Sequence, residues 1–295
     1  MAADIQEIAE YRATSIRQRR PEWLKAKIPG GMEFARLDKI IRSHKLHTVC
    51  EEARCPNMGE CWNLGTATFM ILGDICTRSC GFCAVKTGRP ANDLDWDEPR
   101  RVADAVEMMK IRHAVITSVN RDERNDGGAP IFAETVRLIH ERTPNCKIEV
   151  LIPDFKGSEE ALDMVLASKP DILNHNLETV PRLYRAVRPQ ANYRQSLDVL
   201  KRAKQKGFVT KTGLMLGIGE RTEEIFEVMK DARDVRCDIL TLGQYLQPTK
   251  EHVPIDRYVH PDEFTMLKEE GMKMGFRHIE SGPLVRSSYH AAGQV

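Results

Sequence analysis

Three cysteines fall within the stretch CTRSCGFC: Cys76, Cys80 and Cys83. Thiolates at C-x3-C-x2-C spacing are soft donors suited to zinc or to iron–sulfur iron. Both normally want four ligands, and this loop supplies three. A [4Fe–4S] cube held by three thiolates leaves one iron without a protein ligand. That iron can take a small molecule, and clusters reach very low potentials, so an open iron can both chelate and reduce what it binds. The competing reading is a zinc site completed by a distant residue such as His113.

A second group lies upstream. CEEARCPNMGECW is C-x4-C-x5-C, with Cys50, Cys55 and Cys61, and again offers three ligands. The chain has eight cysteines; the remaining two, Cys146 and Cys237, stand alone beside apolar runs and read as buried thiols. Four disulfides would also use an even count, but disulfide scaffolds are usually small and secreted. With 295 residues, 41% hydrophobic and 29% charged, the composition is that of a globular protein. A net charge of +1 gives no general attraction to nucleic acid or to an anionic membrane. No run of 18 apolar residues exists, so no membrane span is expected. The opening MAADIQEIAE has no apolar core behind a basic start and is too acidic for an organellar leader. The expectation is a protein of the reducing cytoplasm.

The elements that must position these cysteines begin near residue 68. Strands are expected in TFMILGD, HAVITSV, KIEVLIP, DILNHNLE, FVTKTGLML and CDILTLGQY. Between and after them, EPRRVADAVEMMKI, PIFAETVRLIHER, SEEALDMVLAS, YRQSLDVLKRAKQKG, TEEIFEVMKDARDV and HPDEFTMLKEEGMKMG carry helical spacing. TVPRLYRAV reads as a shorter helix, and EFARLDKIIRSH as one upstream. Ser158 and Thr222 are the expected N-caps, and Gly207 closes a helix. Such β–α alternation implies a parallel sheet with right-handed crossovers. Six units are too few for a closed eight-fold barrel, so the expected α/β fold is a partial (β/α)6 barrel over 63–275. An N-terminal extension (1–62) and a C-terminal extension (276–295) flank it. Chemistry in such folds gathers at the C-terminal ends of the strands, where the Cys76–Cys83 loop falls.

C-x3-C-x2-C after the first strand, with Phe82 before the last cysteine in CGFCAV, resembles the radical S-adenosylmethionine superfamily. RPEWLKAKIPGG, ARCPNMGECWNLGTATFMILGDICTRSCGFCAV and SGPLVRSSYHA resemble the lipoyl synthase family within it, over most of the chain. The resemblance implies that Cys76, Cys80 and Cys83 hold a [4Fe–4S] cluster whose open iron takes the amino and carboxylate groups of S-adenosylmethionine. It implies an auxiliary [4Fe–4S] cluster on Cys50, Cys55 and Cys61, with Ser288, or alternatively Ser287, as fourth ligand. A serine oxygen is a harder donor than thiolate and suits a cluster that must open to give up its sulfur. The implied reaction inserts sulfur at C6 and C8 of an octanoyl group amide-linked to a carrier lysine, each carbon being activated by a 5′-deoxyadenosyl radical. Implied partners are octanoylated lipoyl domains or a glycine-cleavage H-type carrier, a flavodoxin or ferredoxin electron donor, and an iron–sulfur carrier that rebuilds the cluster. Without the resemblance, RSSYH reads as a flexible tail.

Weaker candidates surround the first triad. The superfamily often holds the methionine amino group with the loop after the second strand, here TSVNRDERNDGG. Thr117, Ser118 and Asn120 offer neutral polar atoms there, Arg121 and Asp122 suit loop structure equally well, and Gly127 and Gly128 suit a turn. Asn174, Asn176 and Glu178 alternate along the fourth strand and share a face; they either hold the ribose or methionine part or are buried polar structure. Arg188 either forks onto the methionine carboxylate or is solvated. Gln244 and Tyr245 are candidates for an acyl channel. Arg78, Lys86 and Arg89 either offset cluster charge, help dock an acidic partner, or are plain surface charge. GLMLGIGE contains G-x-G without the third glycine of a dinucleotide loop; the resemblance places it near adenine instead. Two other readings compete: a sulfur-inserting enzyme of the biotin synthase kind, and a non-catalytic iron–sulfur carrier or scaffold. The upstream triad and the R-S-S-Y tail argue against the first, and the long β–α array against the second.

Overall fold

The computed structural model describes residues 19–25, 30, 32–44, 46–48, 55, 57–63, 65–91 and 93–294. Its strands in chain order are β1 (His47–Thr48), β2 (Thr66–Ile71), β3 (Ile75–Cys76), β4 (Lys86–Thr87), β5 (His113–Ser118), β6 (Lys147–Leu151), β7 (Ile172–Asn174), β8 (Val209–Leu216), β9 (Ile239–Gln244) and β10 (His278–Gly282). The α-helices are α1 (Met32–Ser43), α2 (Met58–Asn63), α3 (Glu98–Met108), α4 (Ala129–Arg142), α5 (Glu159–Ala167), α6 (Tyr184–Val187), α7 (Tyr193–Gln205), α8 (Thr222–Asp234) and α9 (Pro261–Lys273). Eight strands form one sheet in the order β1-β2-β5-β6-β7-β8-β9-β10. All its pairings are parallel except the short antiparallel β1–β2 contact. β1 and β10 do not pair, so the sheet is an open barrel, as expected. No helix among the described residues is long and apolar enough to cross a membrane.

Alternation along each strand sends one set of side chains outward to the helices and the other into the barrel interior. Ala114, Ile116, Ile148 and Val150 pack outward against Val102 and Val106 of α3 and Val136 and Ile139 of α4. Leu214, Leu216, Leu240 and Leu242 do the same against Ile225 and Met229 of α8 and Phe264 and Leu267 of α9. Ser158 caps α5, accepting from Ala161 N at 3.2 Å. Thr222 is instead the first residue of α8, whose Glu224 carboxylate reaches back to Arg221 N at 2.9 Å. The fourth expected strand ends early, at Asn174, and Glu178 has φ +66°. Sequence periodicity missed β10 altogether; its partner strand β9 fixes it through five register pairs.

Two features set the geometry at the C-terminal ends of the strands. The loop after β2 is anchored by Arg78, whose Nε and Nη2 donate to Asp122 at 2.6 and 3.0 Å, while Nη2 also meets Asp154 at 2.5 Å. Asp122 follows β5 and Asp154 follows β6, so one buried guanidinium ties three loops together. Burial alone would raise the Asp154 carboxyl, but the hydrogen bond and charge of Arg78 bring it down to about 2. Across the opening, Gly243 of β9 packs against the segment after β10: a Cβ there would lie 2.1 Å from Val285 O.

Both features predict measurable losses. Gly243→Ala should displace the Val285 backbone and destabilise the fold by about 1–3 kcal/mol, read as a lower thermal midpoint; an unchanged midpoint would contradict the close approach. The Asp154 contribution is complete above its unfolded pKa, about 3.9, and is lost as pH falls through about 2. Arg78→Gln should cost about 3–5 kcal/mol at pH 7, because it leaves a buried carboxylate uncompensated. The unpaired Asp154 would then take up a proton more readily, so the gap between variant and wild type should narrow in urea unfolding at pH 5.

Candidate functional site

The Cys76–Cys83 loop is held from several sides. The β3–β4 ladder and Gly88 N donating to Cys76 O at 2.9 Å close it on itself. Gly81 donates to Val187 O at 2.9 Å and accepts from Val253 N at 2.8 Å. A Cβ at Gly81 would sit 2.6 Å from Val253 Cγ2, so glycine is required by this close approach. His252 Nε2 reaches Cys83 O at 2.9 Å. Thr77 N and Oγ1 both donate to Asn120 O at 3.1 Å. Two backbone N–H groups, of Asn120 and Arg78, point at Cys76 Sγ at 3.3 and 3.4 Å; such bonds stabilise a thiolate and tune a cluster's potential.

The three thiols lie close enough to influence one another: burial, with Cys80 and Cys76 nearby, pushes Cys83 up to about 12. Burial also raises Cys80, against the positive charge of Arg188. Ligation therefore has to displace protons. Among the described residues no group of three His, Cys, Asp or Glu side chains converges on a single ion. His113 begins β5, at the opposite end of that strand from Asn120, and lies 3.6 Å from Glu149. The zinc reading with His113 is thus not supported, whereas three cysteines spread around one loop suit a multi-iron cluster.

Four polar atoms around this end of the barrel are buried without a hydrogen-bond partner: Ser118 Oγ, Asn120 Oδ1, Asn174 Oδ1 and Asn176 Oδ1. Buried acceptors are normally satisfied, so this set fits a polar ligand better than a packed core. Thr117 Oγ1 donates to Leu151 O at 2.9 Å and serves the sheet as well. Glu178 accepts from Asn176 Nδ2 at 3.1 Å; burial raises its carboxyl, against Arg188. Arg188 is 8% exposed, not solvated. Its Nη1 donates to Asn176 O, Leu177 O and Tyr184 Oη, and its Nε is unpartnered. Six of the sequence-chosen candidates, from Thr117 to Glu178, lie on β5, β7 or the loops after them, and the seventh, Arg188, caps the C-terminus of α6.

Two cysteines of the second triad, Cys55 and Cys61, are described, and the segment after β10 packs near them. Cys50 falls outside the described residues, so its place is not described. Asn57 Nδ2 donates to Leu284 O at 2.6 Å, and Tyr289 Oη meets Glu60 at 3.3 Å. Burial raises the Cys55 thiol, while Asn57 N–H and the Arg286 charge oppose it. Burial, Glu60 and the nearby Cys61 push the Tyr289 hydroxyl up to about 12. The residues on either side of Ser287 and Ser288 therefore approach Cys55 and Cys61. A cleft of about 420 Å3, lined by Cys61, Thr66, His278 and Glu280 among others, opens beside this segment.

Several expectations change. Arg78 is committed to two carboxylates, and Lys86 pairs with Asp74 at 3.1 Å, so neither is spare charge for a cluster. Gln244 uses both ends of its amide to hold Leu216 O, Arg257 O and Val259 N, and Tyr245 Oη donates to Val253 O. Both pin the loop after β9 through these bonds. The N–H groups of Gly217 and Ile218 are occupied by the Glu220 carboxylate at 2.6 and 2.9 Å, which rules out phosphate binding at this G-x-G. None of the seven described cysteines is joined to another in a disulfide, which removes that alternative among them. Sequence reasoning missed Glu60, Glu149, Lys211 and Asn57. Only the lone charged residues inside the apolar strand runs KIEVLIP and FVTKTGLML hinted at two of them.

Comparison with known proteins agrees with this geometry. Residues 70–232 match the family model of the Radical SAM superfamily, and residues 2–55 match that of the N-terminal domain of lipoyl synthase of the Radical SAM family. The chain is 59% identical over 291 residues to the lipoyl synthase of Rubrobacter xylanophilus, covering 98% of this chain and 90% of that one. It is 53% identical to the mitochondrial lipoyl synthase of Nematostella vectensis, covering 95% and 96%. Among solved structures, the [FeFe]-hydrogenase maturase HydG superposes with a TM-score of 0.56 at 14% identity, covering 95% of this chain and 68% of that one. Methylornithine synthase (PylB) does so at 0.55 and 13%, covering 93% and 81%. These two show the shared fold alone. The open parallel barrel, the cysteine loop at its C-terminal end and the near full-length identity together place this chain in the lipoyl synthase family, the sulfur-inserting enzymes of the radical S-adenosylmethionine superfamily.

Proposed function

We propose that Cys76, Cys80 and Cys83 hold the [4Fe–4S] cluster that binds S-adenosylmethionine. Cys50, Cys55, Cys61 and Ser288 hold the auxiliary cluster. The observation that carries this reading is the pair of open thiol sets, one beside four buried unpartnered polar atoms and the other beside R-S-S-Y. When bound, the first cluster reduces S-adenosylmethionine and the second supplies the two sulfurs placed on a carrier-bound octanoyl chain.

The chain's own residues prepare both events. Arg188 offers an unpartnered Nε to the methionine carboxylate. Glu178, Ser118 and Asn120 accept from its ammonium group, with Thr117 behind them, while Asn174 and Asn176 accept from the ribose. Val115, Ile172 and Met215 occupy alternate strand positions facing the same interior, and their apolar surface suits an acyl chain and excludes water. Backbone N–H groups of Arg78 and Asn120 point at Cys76 Sγ and orient that ligand. Ser288, or alternatively Ser287, is the oxygen donor, a reading supported by the approach of Arg286 to Cys55 and of Tyr289 to Cys61. The substrate is an octanoylated lipoyl domain or glycine-cleavage H-type carrier. Electrons come from a flavodoxin or ferredoxin, whose acidic surface suits exposed Arg89 near the cysteine loop, and an iron–sulfur carrier rebuilds the auxiliary cluster.

Anaerobic reconstitution, followed by addition of S-adenosylmethionine, a strong reductant and an octanoyl-lysine peptide, tests the assignment. Cys83→Ala should lose about four irons and form no 5′-deoxyadenosine. Cys61→Ala should also lose about four irons, still form 5′-deoxyadenosine, and leave the peptide mass unchanged. Ser288→Ala should still cleave S-adenosylmethionine but transfer sulfur at least tenfold more slowly, whereas Ser287→Ala should not; the reverse order would move the ligand to Ser287. Wild-type protein that releases 5′-deoxyadenosine yet leaves the peptide untouched would refute the substrate.

A further inference from the structure

Two asparagine amides inside the barrel are turned the same way by neighbouring carboxylates. Asn174 Nδ2 donates to Glu149 Oε1 at 2.7 Å. Glu149 Oε2 accepts from Lys211 Nζ at 3.0 Å, and His113 Nε2 lies 3.6 Å from the same oxygen. Glu149, Asn174 and Lys211 are 0% exposed and His113 1%. Burial works against a charge on Glu149, but the Lys211 charge, the nearby His113 and the hydrogen bond from Asn174 hold the carboxyl below the usual carboxylate range. An ionised carboxylate can only accept, so the Asn174 amide has to turn its NH2 towards Glu149. Its Oδ1 then faces away, is fully buried and has no partner. Asn176 Nδ2 likewise donates to Glu178 Oε1 and leaves Oδ1 without a partner, 3.0 Å from where a Cβ on Gly213 would stand, but burial raises the Glu178 carboxyl, so only the Asn174 amide is fixed by an ionised neighbour.

Two oriented acceptors are the complement of a ligand rich in donors. S-adenosylmethionine has ribose hydroxyls and an ammonium group; the octanoyl chain has no donor along its length. We propose that Glu149 is a positioning residue for the cofactor: backed by Lys211, it fixes the Asn174 amide so that Oδ1 meets a hydroxyl or ammonium hydrogen of S-adenosylmethionine. The inference rests on the reading that the barrel interior is the S-adenosylmethionine site. Glu149 touches neither cofactor nor substrate. Its effect passes through a single amide whose two ends differ only in whether they donate or accept. Glu149→Gln removes that distinction, because a glutamine can present either end to Asn174.

The test is S-adenosylmethionine binding, measured by equilibrium dialysis on the anaerobically reconstituted full chain without reductant, alongside thermal midpoint and iron content. Glu149→Gln should weaken binding about tenfold with iron content unchanged. Asn174→Ala, which leaves the Lys211–Glu149 pair intact, should weaken it at least as much. Asn174→Asp alone should fail too, since it faces Glu149 with a second carboxylate. Combined as Glu149→Gln with Asn174→Asp, the glutamine NH2 can donate to one aspartate oxygen and leave the other as an acceptor, and affinity should recover to within about threefold of wild type. Recovery of affinity in the double variant, beyond any recovery of thermal midpoint, supports the orienting role. Unchanged binding in Glu149→Gln or in Asn174→Ala overturns it, as does a loss that the double variant does not restore. Wild-type protein that does not bind S-adenosylmethionine would overturn the underlying site reading as well.

Discussion

One buried guanidinium does most to define the reactive end of this barrel. Arg78 lies within the cysteine loop, yet its partners belong to the loops after β5 and β6. Taking that charge out of water is costly unless its donors are matched, and two carboxylates match them. Once Arg78 is seated, Thr77 meets Asn120 O, and Asn120 N meets Cys76 Sγ. The position of Cys76 is thus inherited from two neighbouring strands and not from the loop's own sequence. Gly81 and His252 then attach the rest of the loop to the far side of the barrel, through Val187, Val253 and Cys83.

The chemistry was more legible in the sequence than the supports that make it possible. Cysteine spacing is local, and so is the apolar periodicity that marks β2, β5, β6, β8 and β9. Ser158 could be recognised as a cap because its partner, Ala161, is three residues away. What escaped was set by partners distant in sequence. Arg78 reads as loose surface charge until Asp122 and Asp154 are folded beside it. Gln244 and Tyr245 follow a strand end, where functional residues gather, but their hydrogen bonds go to the loop ahead. The alternation of Asn174, Asn176 and Glu178 suggested one strand face. The strand stops at Asn174, and the three reach the interior through a turn with a left-handed residue.

A formal net charge of +1 conceals a strongly polar interior. Lys211, Glu149 and His113 meet inside the barrel, and Glu220 spends its carboxylate on backbone N–H groups. The Lys211–Glu149 pair is internal and mutually compensating, so it adds little to long-range attraction while fixing which way the Asn174 amide turns. The surface, by contrast, carries mostly exposed ion pairs such as Arg137 with Glu134 and Glu141, each worth little in stability. Overall charge was therefore a poor guide to where electrostatics matters in this fold.

The contacts across the barrel opening also set an order of events during synthesis. Asn57 and Leu284, whose hydrogen bond helps close it, are 227 residues apart. At about 5–20 residues per second on the ribosome, the upstream half waits tens of seconds for its counterpart. The strands from β2 to β9 are complete before that counterpart exists. Cys55 and Cys61 thus pass this interval as thiols without their closing segment, open to oxidation or to a passing metal ion. Protection in that window has to come from outside the chain, because the fold supplies its own shield last.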